Sequence, residues 1–238
     1  MNTYNNVAGF GQTGALLRGE PRVLLGWIHG GTTRRLIVCV VTIVIGCGLF
    51  GASVGCWHNP LQALYSAIKL PLVLLLTTVG NALLNGMLAP LLGLNISFRQ
   101  SLLAILMSFT IAAVILGGFS PIIAFMVWNV PPLSMHSTTT NIVYSFIMIV
   151  LVGVIAFAGV SANVRLLQLV ESLSTVAIGR RIVFAWLTVN LFLGAQLSWI
   201  LRPFIGSPAL PVEFLRATAF RGTFYEALFD SFKTVIVP

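Results

Sequence analysis

Few side chains in this sequence are of a type that does chemistry, and their placement decides what kind is open to them. His29, His58 and His136 lie far apart, in connecting stretches on both sides of the apolar runs between them. Metal ligands must converge on one ion, and zinc sites draw on closely spaced His and Cys, so no metal is expected. Cys39, Cys47 and Cys56 match no metal-binding spacing and lie in or beside a single apolar run. They read as small apolar fillers, with Cys56 beside Trp57 the one placed to meet solvent. The five carboxylates fall to two sides, Glu20 and Glu171 against Glu213, Glu226 and Asp230, with no pair set for acid–base work. No nucleophile elbow, phosphate-cradling glycine loop or Cys-x-x-Cys occurs. The expectation is a protein that is not an enzyme and carries no cofactor.

What remains is a polar stripe. Thr77, Asn81 and Asn85 recur at i, i+4 and i+8 within an otherwise apolar run, so on a helix they share one face. Asn190, Gly194 and Ser198 repeat that spacing in a later run. An amide unpaired in hydrocarbon costs several kcal/mol, so both stripes are expected to face other helices. Two outcomes fit: a helix–helix seam, or a polar lining for a solute path.

The elements that position these stripes follow from composition. Of 238 residues, 58% are hydrophobic and 8% charged, against about 25% charged in a soluble domain. With a mean hydropathy of +1.00, much of the surface must face lipid. Backbone groups in hydrocarbon have to be satisfied within the structure, and continuous rather than alternating apolar runs select helices over a barrel. The fold class is therefore all-α, a polytopic bundle of about five transmembrane helices with short interfacial amphipathic helices. The spans are expected at about 36–56, 68–92, 101–128, 141–164 and 182–201, with the third kinked or divided by Gly117-Gly118-Phe119-Ser120-Pro121. Interfacial segments are expected at 15–28, 61–66 and 165–181. In the first span Gly48 and Ala52 mark one small-residue face and Gly51 and Gly55 a neighbouring one, spacings that let helices approach closely.

Residues 1–35 read as an N-terminal tail, 36–201 as the membrane domain and 202–238 as a second tail. In that tail Phe224, Leu228, Phe229 and Phe232 fall at helical spacing, opposite Glu226, Asp230 and Lys233. This is an amphipathic pattern for a membrane surface or a partner. Orientation follows from basic residues near span ends. Arg18, Arg22, Arg34, Arg35, Arg99, Arg165, Arg180 and Arg181 lie on the N-terminal side. Lys69, Arg202, Arg216, Arg221 and Lys233 lie opposite, the last two too far along the tail to weigh strongly. The expected arrangement has the N-terminus cytoplasmic and the C-terminus outside. The formal net charge of +8 then belongs to lipid headgroups and topology, and no nucleic-acid partner is expected. Lys69 reads as an anchor at the mouth of the second span, so no ionisable group is expected in the middle of any span.

The stretch Leu92-Gly93-Leu94-Asn95-Ile96-Ser97-Phe98-Arg99-Gln100-Ser101-Leu102 resembles the turn between the second and third spans of Yip1-like membrane proteins. There a glycine precedes a Ser-Phe-basic helix start. The likeness covers roughly residues 60–127, and the five-span layout with a polar N-terminal tail fits it. The Asp-Leu-x-Gly-Pro element of eukaryotic members is absent, so their Rab binding and vesicle traffic are not implied. Arg202-Pro203-Phe204-Ile205-Gly206-Ser207-Pro208 looks like the tails of some bacterial five-span proteins, which implies a bacterial inner membrane. Two functions are expected from all this. One is a non-catalytic scaffold or accessory subunit that meets other membrane subunits, or itself, through glycine-rich helix faces and the amphipathic tail. The other is a small permease or channel subunit with a path lined by the second and fifth spans.

Overall fold

The computed structural model describes residues 33–91, 98–130, 138–173, 176–206 and 211–226. Five long helices order the chain: α1 (Thr33–Gly55), α2 (Pro60–Leu91), α3 (Phe98–Trp128), α4 (Thr138–Leu173) and α5 (Val176–Ile200). No strand occurs among the described residues. Each helix contains a stretch long and apolar enough to cross a membrane: Arg35–Gly55, Pro60–Leu84, Phe98–Trp128, Phe146–Glu171 and Gly179–Ile200. The chain is a multi-pass helical membrane protein. The expected interfacial segment at 15–28 lies outside the described residues.

Three boundaries differ from expectation, each for a local reason. Residues 61–66 are not a separate interfacial segment but the first turns of α2. Asn59 accepts the Leu61 N–H on its side-chain oxygen at 2.8 Å and Pro60 follows at the first helical position, so the helix starts there. Pro121 does not divide the third span, because α3 continues through it to Trp128. Proline cannot donate to the carbonyl one turn back, yet Ile123 and Val127 beyond it remain buried and hold the last turns to the core. Residues 165–181 are not one interfacial helix either. Leu166, Leu169 and Val170 are buried and extend the packed face of α4 to Leu173, after which α5 begins at Val176. Where the two helices meet, Arg180 Nε lies 3.6 Å from Glu171 Oε1.

α1 and α3 form the heart of the bundle. α1 packs along α2 and α3, α3 also touches α4, and α5 leans on α2 and α4. Cys39, Ile43, Cys47 and Phe50 of α1 are buried in one apolar core with Ile105, Met107, Ile111 and Leu116 of α3. Cys56 is exposed, whereas Cys39 and Cys47 are buried. Glycines set how closely the helices cross. Gly51 lies against the Ser66 carbonyl and Gly55 against Gln62 and Ala63, all of α2. Gly48 meets α2 more loosely, a Cβ there standing 3.4 Å from the Ala67 carbonyl oxygen. The tightest approach belongs to a glycine outside these pairs: a Cβ on Gly46 would overlap the Ala113 carbonyl of α3.

Candidate functional site

Polar side chains gather in two places, both built on α2. The first is where α2 meets α5. Asn81 is fully buried; its Nδ2 donates to Asn190 Oδ1 and to the Trp186 carbonyl, the latter at 3.4 Å. One turn away Thr77 faces Gly194, where an added Cβ would stand 3.8 Å from Thr77 Oγ1. Neither Thr77 Oγ1 nor Trp186 Nε1 finds a hydrogen-bond partner among the described residues. The structure thus brings Asn81 and Asn190 together and sets Thr77 beside their pair. Ser198 is half-buried and takes no part in these contacts. The Asn85 side chain lies outside the described residues.

The second place is the end of the bundle where α5 gives way to the tail. Gln62, Ser66 and Lys69 share one face of α2, at i, i+4 and i+7, and all three have 0% exposure. They grip the backbone of the tail. Gln62 Nε2 donates to the carbonyls of Pro203 and Phe204, each at 3.0 Å. Ser66 Oγ donates to the same Phe204 carbonyl. Lys69 Nζ donates to the carbonyls of Pro203 at 3.0 Å and Glu213 at 3.4 Å. The ammonium also lies 5.3 Å from the Phe214 ring centre and 6.0 Å from that of Tyr65, while those two rings meet edge to face at 5.4 Å. Carbonyl dipoles and the negative faces of the rings surround the buried cation.

Lys69 therefore does not stand at the mouth of its span. Nine residues of α2 precede it, and it lies inside the Pro60–Leu84 stretch. The expected place of Lys69 at the mouth of its helix is corrected: α2 begins at Pro60, and Lys69 is fully buried. The physical reason is the tail, whose free carbonyls supply acceptors that lipid lacks. A fully buried ionisable residue on an apolar helix is a functional-site candidate by default. Its signal in the sequence was the Gln62, Ser66, Lys69 stripe, together with a tail unusually rich in polar residues for this chain.

Other contacts fix the tail in place. Gly206 adopts φ 91° and lies on the His58 ring, where a Cβ would come within 2.6 Å of His58 Cδ2. Arg202 stacks on Trp199 with its guanidinium carbon 3.6 Å from the ring centre, and Nη1 donates to the Trp199 carbonyl at 2.7 Å. Burial first, and then the charge of Arg216, lower the Arg202 pKa below the usual arginine value. The chain then turns back along α5 through long hydrogen bonds. Trp199 Nε1 donates to the Arg221 carbonyl at 3.4 Å, and the Phe224 N–H donates to Gln196 Oε1 at 3.3 Å. Tyr225 Oη donates to the Phe192 carbonyl at 3.4 Å, its ring stacked on that of Phe192 at 5.5 Å.

Within the expected amphipathic face, Phe224 is exposed and sits in a single helical turn at 224–226. Leu228, Phe229 and Phe232 lie outside the described residues. Among the described residues no three His, Cys, Asp or Glu come together as metal ligands would. Comparison of the chain with protein-family models, with curated proteins and with solved structures finds no match.

Proposed function

We propose that this chain is a non-catalytic subunit that scaffolds or accompanies a larger membrane assembly. The supporting observation is the openness of α5. Its apolar stretch is 17% buried, against 61% for α3, yet Asn190, Gln196 and Ser198 on it are only half-buried and Thr188 is exposed. Thr188 returns its hydroxyl to the Phe184 carbonyl at 2.9 Å, and Asn190 and Gln196 each accept one hydrogen bond on the side-chain oxygen while remaining partly open to the outside. Polar groups left facing hydrocarbon are costly, and Ser, Asn and Gln at membrane helix surfaces serve as contacts between helices. A partner helix along α5 would supply what the five helices of one chain do not. The basic-residue count and the tail likeness support placing the assembly in a bacterial inner membrane, with the N-terminus cytoplasmic and the C-terminus outside. The Yip1-like assignment is proposed on the five-span layout and the Leu92–Leu102 stretch.

Purification from native membranes in mild detergent tests this reading. A stoichiometric membrane partner is the expected result; a bare monomer with lipid only would sink it. Deleting residues 224–238 should weaken the association while the five-helix core stays folded.

The reading as a permease or channel subunit predicts instead a homo-oligomer with a water-filled axis. The pairing of Asn81 with Asn190 favours a seam over a lining, because each amide is already engaged. Asn81→Leu leaves Asn190 without its donor, so thermal unfolding in detergent should show a loss of about 0.6–2 kcal/mol. Solute flux in reconstituted vesicles should stay unchanged, and an altered flux at unaltered stability would favour the path.

A further inference from the structure

Three cations meet where the tail crosses α2. Lys69 donates to the carbonyls of Pro203, next to Arg202, and of Glu213, three residues before Arg216. Arg216 in turn lies within electrostatic reach of both Lys69 and Arg202. Among the described residues no carboxylate forms an ion pair with any of the three; the one such pair is Arg180 with Glu171. The Arg216 side chain is half-buried and makes no hydrogen bond among the described residues. Arg202 commits Nη1 to the Trp199 carbonyl and leaves its other N–H groups open. Like charges repel most where water is scarce, yet the fold holds these three together around a fully buried ammonium.

Their location sharpens the point. Lys69, Arg202 and Arg216, three of the few basic residues expected on this side of the bundle, converge on one spot. The Trp199–Arg202 stack has the makeup of an interface anchor, which sits at the depth of lipid headgroups. Two guanidinium groups offer forked donors suited to the oxygens of a phosphate. We propose that Arg202 and Arg216, with Lys69 as the buried charge behind them, bind a phosphate-bearing anion, either the headgroup of an acidic phospholipid or the free ion. The arginines donate to the phosphate oxygens. Lys69, whose donors are taken up by tail carbonyls, contributes positive potential. This site is independent of any partner on α5.

The test uses the full chain in a neutral detergent and follows thermal unfolding with three additions. These are phosphatidylglycerol, phosphatidylcholine, and inorganic phosphate balanced against chloride at equal ionic strength. A saturating ligand should raise the midpoint by roughly 5 °C. A rise with phosphatidylglycerol alone identifies a lipid headgroup, and a rise with inorganic phosphate as well identifies the free ion as sufficient. Arg216→Gln is the decisive variant, because among the described residues the Arg216 side chain makes no hydrogen bond that the fold would miss. It should remove the shift while the unliganded midpoint stays put, and Arg99→Gln on the opposite side should retain it. An undiminished shift in Arg216→Gln would overturn the site. So would equal shifts from chloride and phosphate, or from the zwitterionic and acidic lipids, or no shift at all.

Discussion

Replacing Gly46 by valine should leave little folded protein. A Cβ at that position would overlap the backbone carbonyl of Ala113, and a Cβ on Gly117 would in turn stand 3.0 Å from the Gly46 Cα. Both neighbours are backbone, so neither can swing aside as a flexible side chain would. α1 and α3 would have to separate, and with them the core packed around Ile43, Cys47, Ile111 and Leu116. Overpacking a tight core costs about 1–3 kcal/mol and more where backbone must move, so a loss of at least about 3 kcal/mol is expected. Denaturant unfolding in detergent, with size-exclusion profiles for the folded fraction, measures it. Gly153→Val is the matched control, since a Cβ on Gly153 meets nothing within 4 Å, and it should change stability by less than about 0.5 kcal/mol. Equal stability of the two variants would mean that α1 and α3 do not cross at Gly46.

Lys69→Met should free the tail while the bundle survives. Methionine keeps the length and apolar stem of lysine but donates nothing, which strands the Glu213 carbonyl, leaves the Pro203 carbonyl to Gln62 alone and removes the cation from beside Tyr65 and Phe214. Hydrogen bonds from a charged group contribute about 1.5–3 kcal/mol each way of counting. A loss of about 2–3 kcal/mol in the closure of the tail corresponds to roughly thirtyfold or greater opening, since 1.4 kcal/mol is tenfold. Limited proteolysis should therefore cut within residues 211–226 at least about thirty times faster. Hydrogen exchange in α1 and α3 should stay slow. Unchanged cleavage would show that Gln62 and Ser66 hold the tail without Lys69.

The spans were legible because their cause is one-dimensional: a long uncharged apolar run has no other stable form in lipid. Their ends were not, because helix ends answer to local chemistry. Asn59 and Pro60 together start a helix where a loop-and-turn reading stopped at the nearest charge, and that charge was Lys69. The partition at 165 fails for the same reason: Arg165 has the character of a span end, but Leu166, Leu169 and Val170 continue the buried face. Asn81 and Asn190 could be matched by spacing alone. A shared helical repeat lets two stripes align, but it leaves the register open, and the structure sets Thr77 against Gly194 rather than against another polar group. The Lys69 cluster was out of reach for a different reason. Its acceptors are backbone carbonyls more than 130 positions away, and a backbone carbonyl carries no residue-type signal.

Two of the contacts described above tie α2 to α5 and its continuation at different heights. Lys69 holds the tail directly after α5, and Asn81 holds Asn190 within it. Twelve residues of α2 separate them, about 18 Å along the axis. A body fastened at one point can pivot in any direction; fastened at two, it can turn only about the line joining them. α5 cannot tilt away from α2 without breaking one pin, whereas a roll about the line joining them would break neither and would be resisted by its packing against α4 and by the other tail contacts. Any such roll would carry the tail along, because Lys69 and Gln62 bind it directly after α5.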